Sequence, residues 1–260
     1  MHTGSGGAAA YMSGGIDVVA GLKAGAVLSD VIHLGLLPGR ISIVKREDAI
    51  AIGAGVTHQG FADSQLLRQL YPGLCSAWSK LANNRIRIKG TLAGNLMARN
   101  PGYDFAIATI AAGARLEYLD SNRMAGQVPV ERLPDIPQGA LLTAIVMPRD
   151  HWLAFTVQCQ WKPIVSFALS FRSVQDAAVA RLAVGCAYQT ATWCDVRLER
   201  DLFDLSLRET AADIAERLCD ALPEPITDWR ASSDYRRHLL KVLVRREIER
   251  IRATGRNHEN

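Results

Sequence analysis

Arg87-Ile88-Lys89-Gly90-Thr91-Leu92-Ala93-Gly94-Asn95-Leu96 is the stretch from which the rest of the chain is read. Its small residues let backbone N–H groups approach an anion closely, and such a concavity suits a diphosphate. Thr91 and Asn95 add side-chain donors, and Arg85, Arg87 and Lys89 stand just upstream. A second small-residue cluster, Gly14-Gly15 between Ser13 and Asp17, directly follows the apolar run Ala8–Met12. Asp104, a little beyond the first cluster, can accept hydrogen bonds from sugar hydroxyls. Spacing alone leaves another reading open, in which both clusters are tight turns closing strands and glycine supplies positive φ.

Working outward, the first half alternates short Val/Ile-rich runs with glycine punctuation, as strands do. Ala8–Met12, Leu28–Leu34, Arg40–Lys45 and Ala49–Ile52 read as strands, with a helical turn or loop up to Gly25 after the first. Ala62–Leu70 and the segment opening at Pro72 read as helices, the first with Leu66, Leu67 and Leu70 on one face. Asn83–Arg99 reads as strand, turn, strand or loop, and Ser121–Gly139, rich in Pro, Asp, Asn and Gly, as irregular. Tyr103–Gly113 is an alanine-rich helix, followed by strands Arg115–Leu119 and Leu141–Met147. A boundary is placed at Pro148–Trp152. Beyond it Ala154–Trp161, Ser166–Ser173 and Val179–Tyr188 suggest a three-stranded antiparallel meander. The helices Ser206–Ala221 and Ser232–Arg252 follow, the latter with Tyr235, Leu239, Val242, Leu243, Ile248 and Ile251 at helical steps.

Composition removes several classes of function. With 260 residues, 48% hydrophobic and 22% charged, the chain affords one large domain or two smaller ones. The net charge of +4 gathers near the C-terminus at Arg236, Arg237, Lys241, Arg245, Arg246, Arg250 and Arg252. Glu247 and Glu249 interrupt that stripe, so a solvated helix face or subunit contact is expected rather than nucleic acid. Five scattered cysteines without a C-x-x-C pair argue against a disulfide framework and against a self-contained zinc or iron–sulfur site. The histidines show no metal-ligand spacing, and no G-x-S-x-G elbow occurs. No catalytic acid/base pair stands out, so a cofactor has to carry any chemistry. No signal peptide and no run near the ~20 apolar residues of a membrane span is found, which makes a soluble cytoplasmic protein the expectation. Gly4-x-Gly6-x-x-Ala9 fits a dinucleotide-binding glycine pattern, but nothing precedes it and a strand follows, so that reading is rejected.

The ordered motifs resemble the FAD-binding subunits of molybdenum hydroxylases, the xanthine dehydrogenase and carbon monoxide dehydrogenase family. Ser13-Gly14-Gly15-Ile16-Asp17-Val18-Val19 is similar to that family's A-G-G-T-D-[LV]-[LIV]. Ile52-Gly53-Ala54-Gly55-Val56-Thr57 looks like its I-G-A-x-T-T. The stretch 87–96 is similar to R-x-x-[GA]-T-[IL]-G-G-N-[LI], and Asn100-Pro101-Gly102-Tyr103-Asp104 to P-x-x-D. Leu142-Thr143-Ala144-Ile145-Val146-Met147-Pro148 and the run Asp228–Arg237 also match, so that likeness covers roughly residues 8–252.

The resemblance implies an α+β fold: a two-subdomain FAD-binding domain of vanillyl-alcohol-oxidase-like type over 1–150, with subdomains of about 1–40 and 41–150. A small C-terminal domain with a three-stranded antiparallel sheet and helices would occupy 151–260. It implies that Ser13, Gly14, Gly15, Ile16, Asp17 and Val18, with Thr91, Ala93, Gly94 and Asn95, wrap the FAD diphosphate. Asp104 would bind a hydroxyl of the cofactor chain, and Leu81 and Leu142 would line the cofactor. It also implies a large molybdenum-cofactor subunit and a small [2Fe–2S] subunit as partners, in a heterotrimer or a dimer of heterotrimers. Electrons would run from the clusters through FAD to an external acceptor. Three positions depart from the family. Ile16 stands where a hydroxyl residue is usual, Ala93 replaces the first glycine of a pair, and Thr156 stands where many members carry a lysine near the flavin ring. The leading strand–helix segment usual in the family is also not evident. Two rival readings follow: a stand-alone NAD(P)H-dependent flavoenzyme, or a flavin-free scaffold of the same complex.

Overall fold

The computed structural model describes residues 2–4, 7–79, 82–149, 152–158, 163–174, 177–198 and 210–254. Two compact units emerge, Met1–Arg99 with Gly113–Arg149, and Asn100–Ala112 with Asp150–Asn260.

The first unit opens on a three-stranded sheet. β1 (His2–Gly4) lies antiparallel to β2 (Gly7–Met12), which runs parallel to β3 (Asp30–His33). Parallel neighbours need a crossover, and α1 (Ile16–Lys23) lies on that connection. Gly4 and Ala9 therefore sit on two antiparallel strands, where no helix opens; the glycine pattern there fails, although β1 does precede it. A five-stranded antiparallel sheet follows in the order β4 (Ile43–Lys45), β5 (Ala49–Gly53), β8 (Leu141–Pro148), β6 (Arg115–Leu119), β7 (Ala125–Pro129).

Five short helices join β5 to the rest of this unit: α2 (His58–Asp63), α3 (Gln65–Leu70), α4 (Pro72–Ser79), α5 (Asn84–Lys89) and α6 (Leu92–Met97). Phe61 and Trp78 are fully buried with ring centroids 5.7 Å apart, an aromatic pair that fixes α2 against α4. Of the three leucines expected on one face of α3, only Leu67 is buried. Leu81 lies outside the described residues.

The stretch 83–99 is two helices, not strands. Asn83 and Thr91 each cap one, accepting from Ile86 N at 3.0 Å and Gly94 N at 3.2 Å. Caps of this kind override low helix propensity over a few residues. Within 121–139 the chain is regular too, forming β7 and a 3-10 turn at Val130–Asp135. Pairing with β6 along the whole of β7 outweighs the turn-forming composition.

In the second unit the sheet has four strands, not three: β12 (Thr192–Arg197), β11 (Ala177–Gly185), β10 (Ser166–Val174), β9 (Trp152–Gln158), all antiparallel. The added strand carries charges outward at Asp195 and Arg197 while Cys194 and Val196 are buried, a period of two along a short polar segment. Phe167, Leu169 and Phe171 share a core with Ile214 and Leu218 of α8 (Ala211–Asp220) and with Leu240, Val244 and Ile248 of α9 (Ser233–Thr254). α7 (Asp104–Ala112) meets β10 as well, where Ser170 Oγ donates to Ala111 O at 2.7 Å. Because successive strand residues face opposite ways, β10 is covered on both sides, and Ser166–Phe171 is buried without interruption.

Thr210 opens α8 with a reciprocal capping box to Asp213; residues 206–209 of the expected helix lie outside the described residues. The buried stripe of α9 runs through Arg236, Leu240, Val244, Glu247, Ile248 and Ile251. It is rotated from the expected one, and Tyr235 is exposed. Two charged side chains occupy that stripe because each has partners inside, a pattern that hydrophobicity alone cannot show.

Candidate functional site

Strand β2 delivers Ser13-Gly14-Gly15 to the start of α1. Gly15 adopts φ 79°, a left-handed conformation that glycine enters without steric cost, and no side chain caps the helix there. Gly14 is pressed on the second cluster. A Cβ at Gly14 would lie 1.8 Å from the backbone oxygen of Lys89 and 3.2 Å from the Cα of Gly90. Side-chain-free contact thus brings the turns 13–15 and 89–91 together within the first unit. Ser13, Gly14, Gly15, Ile16 and Val18 are half-buried, and Asp17 is exposed.

The second turn is laced to the strand-like segment 56–58. Leu92 N donates to Val56 O at 2.9 Å, His58 N to Gly90 O at 3.0 Å, and Thr57 bridges Thr91 antiparallel. Beneath it, the buried His58 ring accepts from Trp78 Nε1 at Nδ1, 3.1 Å away. That contact assigns the ring proton to Nε2. Burial pushes the imidazole down to about 4, so it is neutral near neutral pH.

The capping bond uses a lone pair of Thr91 Oγ1 and leaves its O–H available to donate. Ala93 is buried, so the methyl that replaces a glycine hydrogen points into packed protein. Asn95 Oδ1 is shut from solvent without a hydrogen-bond partner among the described residues. A buried acceptor in that state costs about 1–3 kcal/mol. Leu142, on β8, is buried. Asp104 begins α7 in the second unit.

Arg40 is a site residue that motif spacing missed. Its guanidinium donates to Ser13 Oγ at 3.0 Å and to Leu34 O at 2.9 Å, and its own carbonyl accepts from Gly55 N at 2.6 Å. One residue therefore ties the first turn to the segment 52–57. The only local signal is the turn Pro38-Gly39 before it, with Gly39 at φ 71°.

Thr156 is buried and donates to Glu247 Oε1 at 2.7 Å, while Gln158 Nε2 donates to Oε2 at 3.0 Å. Its hydroxyl is committed to α9 and supplies no charge. Of the basic stripe, Arg236 is wholly buried, Lys241 pairs with Asp220 and Glu216, Arg245 with Glu249, and Arg250 with Glu247. Cys75, Cys186, Cys194 and Cys219 are free and buried; Cys159 and His151 lie outside the described residues. No group of side chains suited to a metal occurs among the described residues, nor any helix long and apolar enough to cross a membrane.

Comparison with known proteins gives a consistent picture. The family described as "FAD binding domain in molybdopterin dehydrogenase" matches residues 3–150, and "CO dehydrogenase flavoprotein C-terminal domain" matches 163–251. The carbon monoxide dehydrogenase medium chain of Afipia carboxidovorans is 25% identical over 224 residues, 80% of this chain and 76% of that one. The xanthine dehydrogenase FAD-binding subunit of Escherichia coli is 25% identical over 248 residues, 87% of this chain and 82% of that one. Among solved structures, quinoline 2-oxidoreductase from Pseudomonas putida 86 superposes with a TM-score of 0.80 at 21% identity, over 95% of this chain and 90% of that one. Carbon monoxide dehydrogenase from Hydrogenophaga pseudoflava gives 0.75 at 20% identity, over 92% and 87%. These two likenesses concern the fold.

Proposed function

The chain belongs to the family of FAD-binding domains in molybdopterin dehydrogenases, and on that premise we propose that it is the FAD-binding, electron-transferring subunit of a heteromeric molybdenum hydroxylase. The observation that carries the reading is the approach of Gly14 to Lys89 and Gly90, which places two backbone-rich turns side by side. Successive N–H groups in such turns form an anion-binding concavity, and the N-terminus of α1, uncapped by any side chain, adds to it.

The residues present suit the cofactor. Gly14 and Gly15 bring backbone to the diphosphate, with Ile16, Asp17 and Val18 completing that turn. Ser13 is oriented by Arg40. Thr91 donates its free O–H, Gly94 leaves room above the Thr91 hydroxyl, and Ala93 packs beneath. Asn95 Oδ1 accepts from a hydroxyl of the cofactor and so loses its orphaned state. Leu142, buried on β8, offers the cofactor apolar contact. Ile16 forfeits one hydroxyl donor, a loss that several backbone donors offset. Thr156 leaves the lysine position uncharged, which alters electrostatic tuning rather than binding.

FAD held by these turns would supply the redox chemistry, linking a partner's cluster to an external acceptor. The described cysteines are scattered and buried, which supports [2Fe–2S] clusters on a small partner subunit, with the molybdenum cofactor on a large one. The assembly is a heterotrimer or a dimer of heterotrimers in the cytoplasm. Its test is purification of the tagged chain from its native host, followed by mass spectrometry and cofactor analysis. Equimolar recovery of one molybdenum-bearing and one iron–sulfur chain, with FAD present, is expected. A solitary chain that turns over NAD(P)H by itself would select the stand-alone flavoenzyme instead.

A further inference from the structure

The motif Ile52–Thr57 was singled out in the sequence, yet flavin binding as described above makes no use of it. Its two glycines house an arginine. A Cβ at Gly53 would stand 2.4 Å from the Arg40 carbonyl oxygen, and one at Gly55 would stand 2.2 Å from Arg40 Nε and 2.5 Å from its Cζ. The backbone joins in, since Gly55 N donates to Arg40 O at 2.6 Å. Neither glycine has a positive φ, so close approach rather than backbone shape requires them. Together they form a side-chain-free bed on which the guanidinium lies.

The charge held there meets no opposite charge among the described residues. Arg40 is half-buried, and its guanidinium donates to two neutral oxygens, Leu34 O at 2.9 Å and Ser13 Oγ at 3.0 Å. In the same unit Arg46, Arg68 and Arg132 pair instead with the carboxylates of Glu117, Asp63 and Asp135. Taking a cation partly out of water is costly unless an anion faces it. Carbonyl and hydroxyl dipoles satisfy N–H groups but leave the charge uncompensated. Ser13 carries that charge onward. Its Oγ accepts from Arg40 and keeps its own O–H to donate, and a hydroxyl polarised in this way is a stronger donor. Ser13 also opens the first of the two turns, directly before Gly14.

We propose that Arg40 supplies the counter-charge for the diphosphate: from its bed on Gly53 and Gly55 the guanidinium acts on the phosphates through the Ser13 hydroxyl. It is a positioning residue whose charge, and not only its bonds to Ser13 and Leu34, strengthens binding. The inference rests on the proposed seating of FAD at the two turns. Ser13, Arg40, Gly53 and Gly55 all belong to the first unit.

The test compares two substitutions on the full chain, with FAD affinity read by flavin fluorescence and folding read by circular dichroism. Arg40→Lys keeps the charge with fewer donors, whereas Arg40→Gln keeps donors for Ser13 and Leu34 without the charge. Arg40→Lys is expected to bind FAD within about threefold of the unmodified chain, and Arg40→Gln about tenfold or more weakly. Because Arg40 is only half-buried, salt reaches it. Raising ionic strength from about 0.05 M to about 0.5 M should loosen FAD more in the unmodified chain than in Arg40→Gln. Arg40→Gln binding as tightly as Arg40→Lys, or responding to salt as the unmodified chain does, overturns the inference. Should Arg40→Gln not fold, the neutral Arg40→Met takes its place with the same two outcomes; should Arg40→Lys not fold, the salt response alone decides. An unmodified chain that binds no FAD at all refutes the proposed function itself, a result separate from any ranking of the variants.

Discussion

At the scale of single residues, the site is held by contacts that leave no slack. Arg40 fastens Ser13 and Leu34 with a charged donor, and bonds of this type contribute about 1.5–3 kcal/mol. Arg40→Met keeps much of the stem and removes both bonds; FAD affinity should fall by about tenfold in a fluorescence titration, with the far-ultraviolet spectrum preserved. His58 gives a pH signature. Its folded-state value near 4 lies below the ordinary 6.5, so between those limits the unfolded chain binds a proton that the folded one refuses. Stability from this group is complete above about 6.5, falls as pH drops toward 4 and is level below, a span of roughly 3 kcal/mol. Urea unfolding at pH 7 and pH 4.5 should show that slope, and His58→Asn should flatten it. An unchanged slope in the variant would assign the effect to other groups. Arg40 illustrates why part of the site stayed hidden in the sequence. It acts on Ser13, 27 positions away, and no local spacing encodes a partner that only the fold brings near.

At the scale of elements, the weakest part of the first unit is the one that carries the first turn. No residue from Tyr11 to Ala49 is buried, and α1 has no buried face. Val27, Leu36 and Ile41 are more than 70% exposed. Elements with so little buried apolar area open readily. Amide hydrogen exchange over 11–48 should therefore be fast in the chain without FAD and slow markedly when FAD is added, whereas β5 and β8 should be protected in both states. Equal exchange with and without FAD would mean that the first turn does not meet the cofactor. The elements built on sustained apolar runs, β5, β8, β10, β11 and α7, were legible from the sequence. The elements that were misread are stabilised otherwise. α5 and α6 depend on the caps Asn83 and Thr91, β7 on its register with β6, and β12 on only two inward side chains. The hydroxyl–x–x–small spacing Thr91–Gly94 was a usable helix-start signal within a stretch that glycines made look like a turn.

At the scale of the whole molecule, a chain with no metal-suited group of side chains among its described residues belongs to the family of FAD-binding domains in molybdopterin dehydrogenases. This fits a division of labour in which one subunit holds a carrier and others do the substrate chemistry. The order of the signatures along the chain identified that family from the sequence, and family match and fold agree with it. Within the C-terminal basic stripe Arg236 is internal, and Lys241, Arg245 and Arg250 are paired with carboxylates. Everything else depends on two turns meeting around a dinucleotide. That is tested most directly by titrating FAD into the purified chain and into Gly14→Ala, following the visible flavin spectrum. The added methyl must push Lys89 away, at about 1–3 kcal/mol for overpacking alone. The unmodified chain should take up one FAD and turn yellow, and Gly14→Ala should bind it more than about tenfold more weakly. A chain that stays colourless in excess FAD, or a variant that binds as tightly as the original, would contradict this.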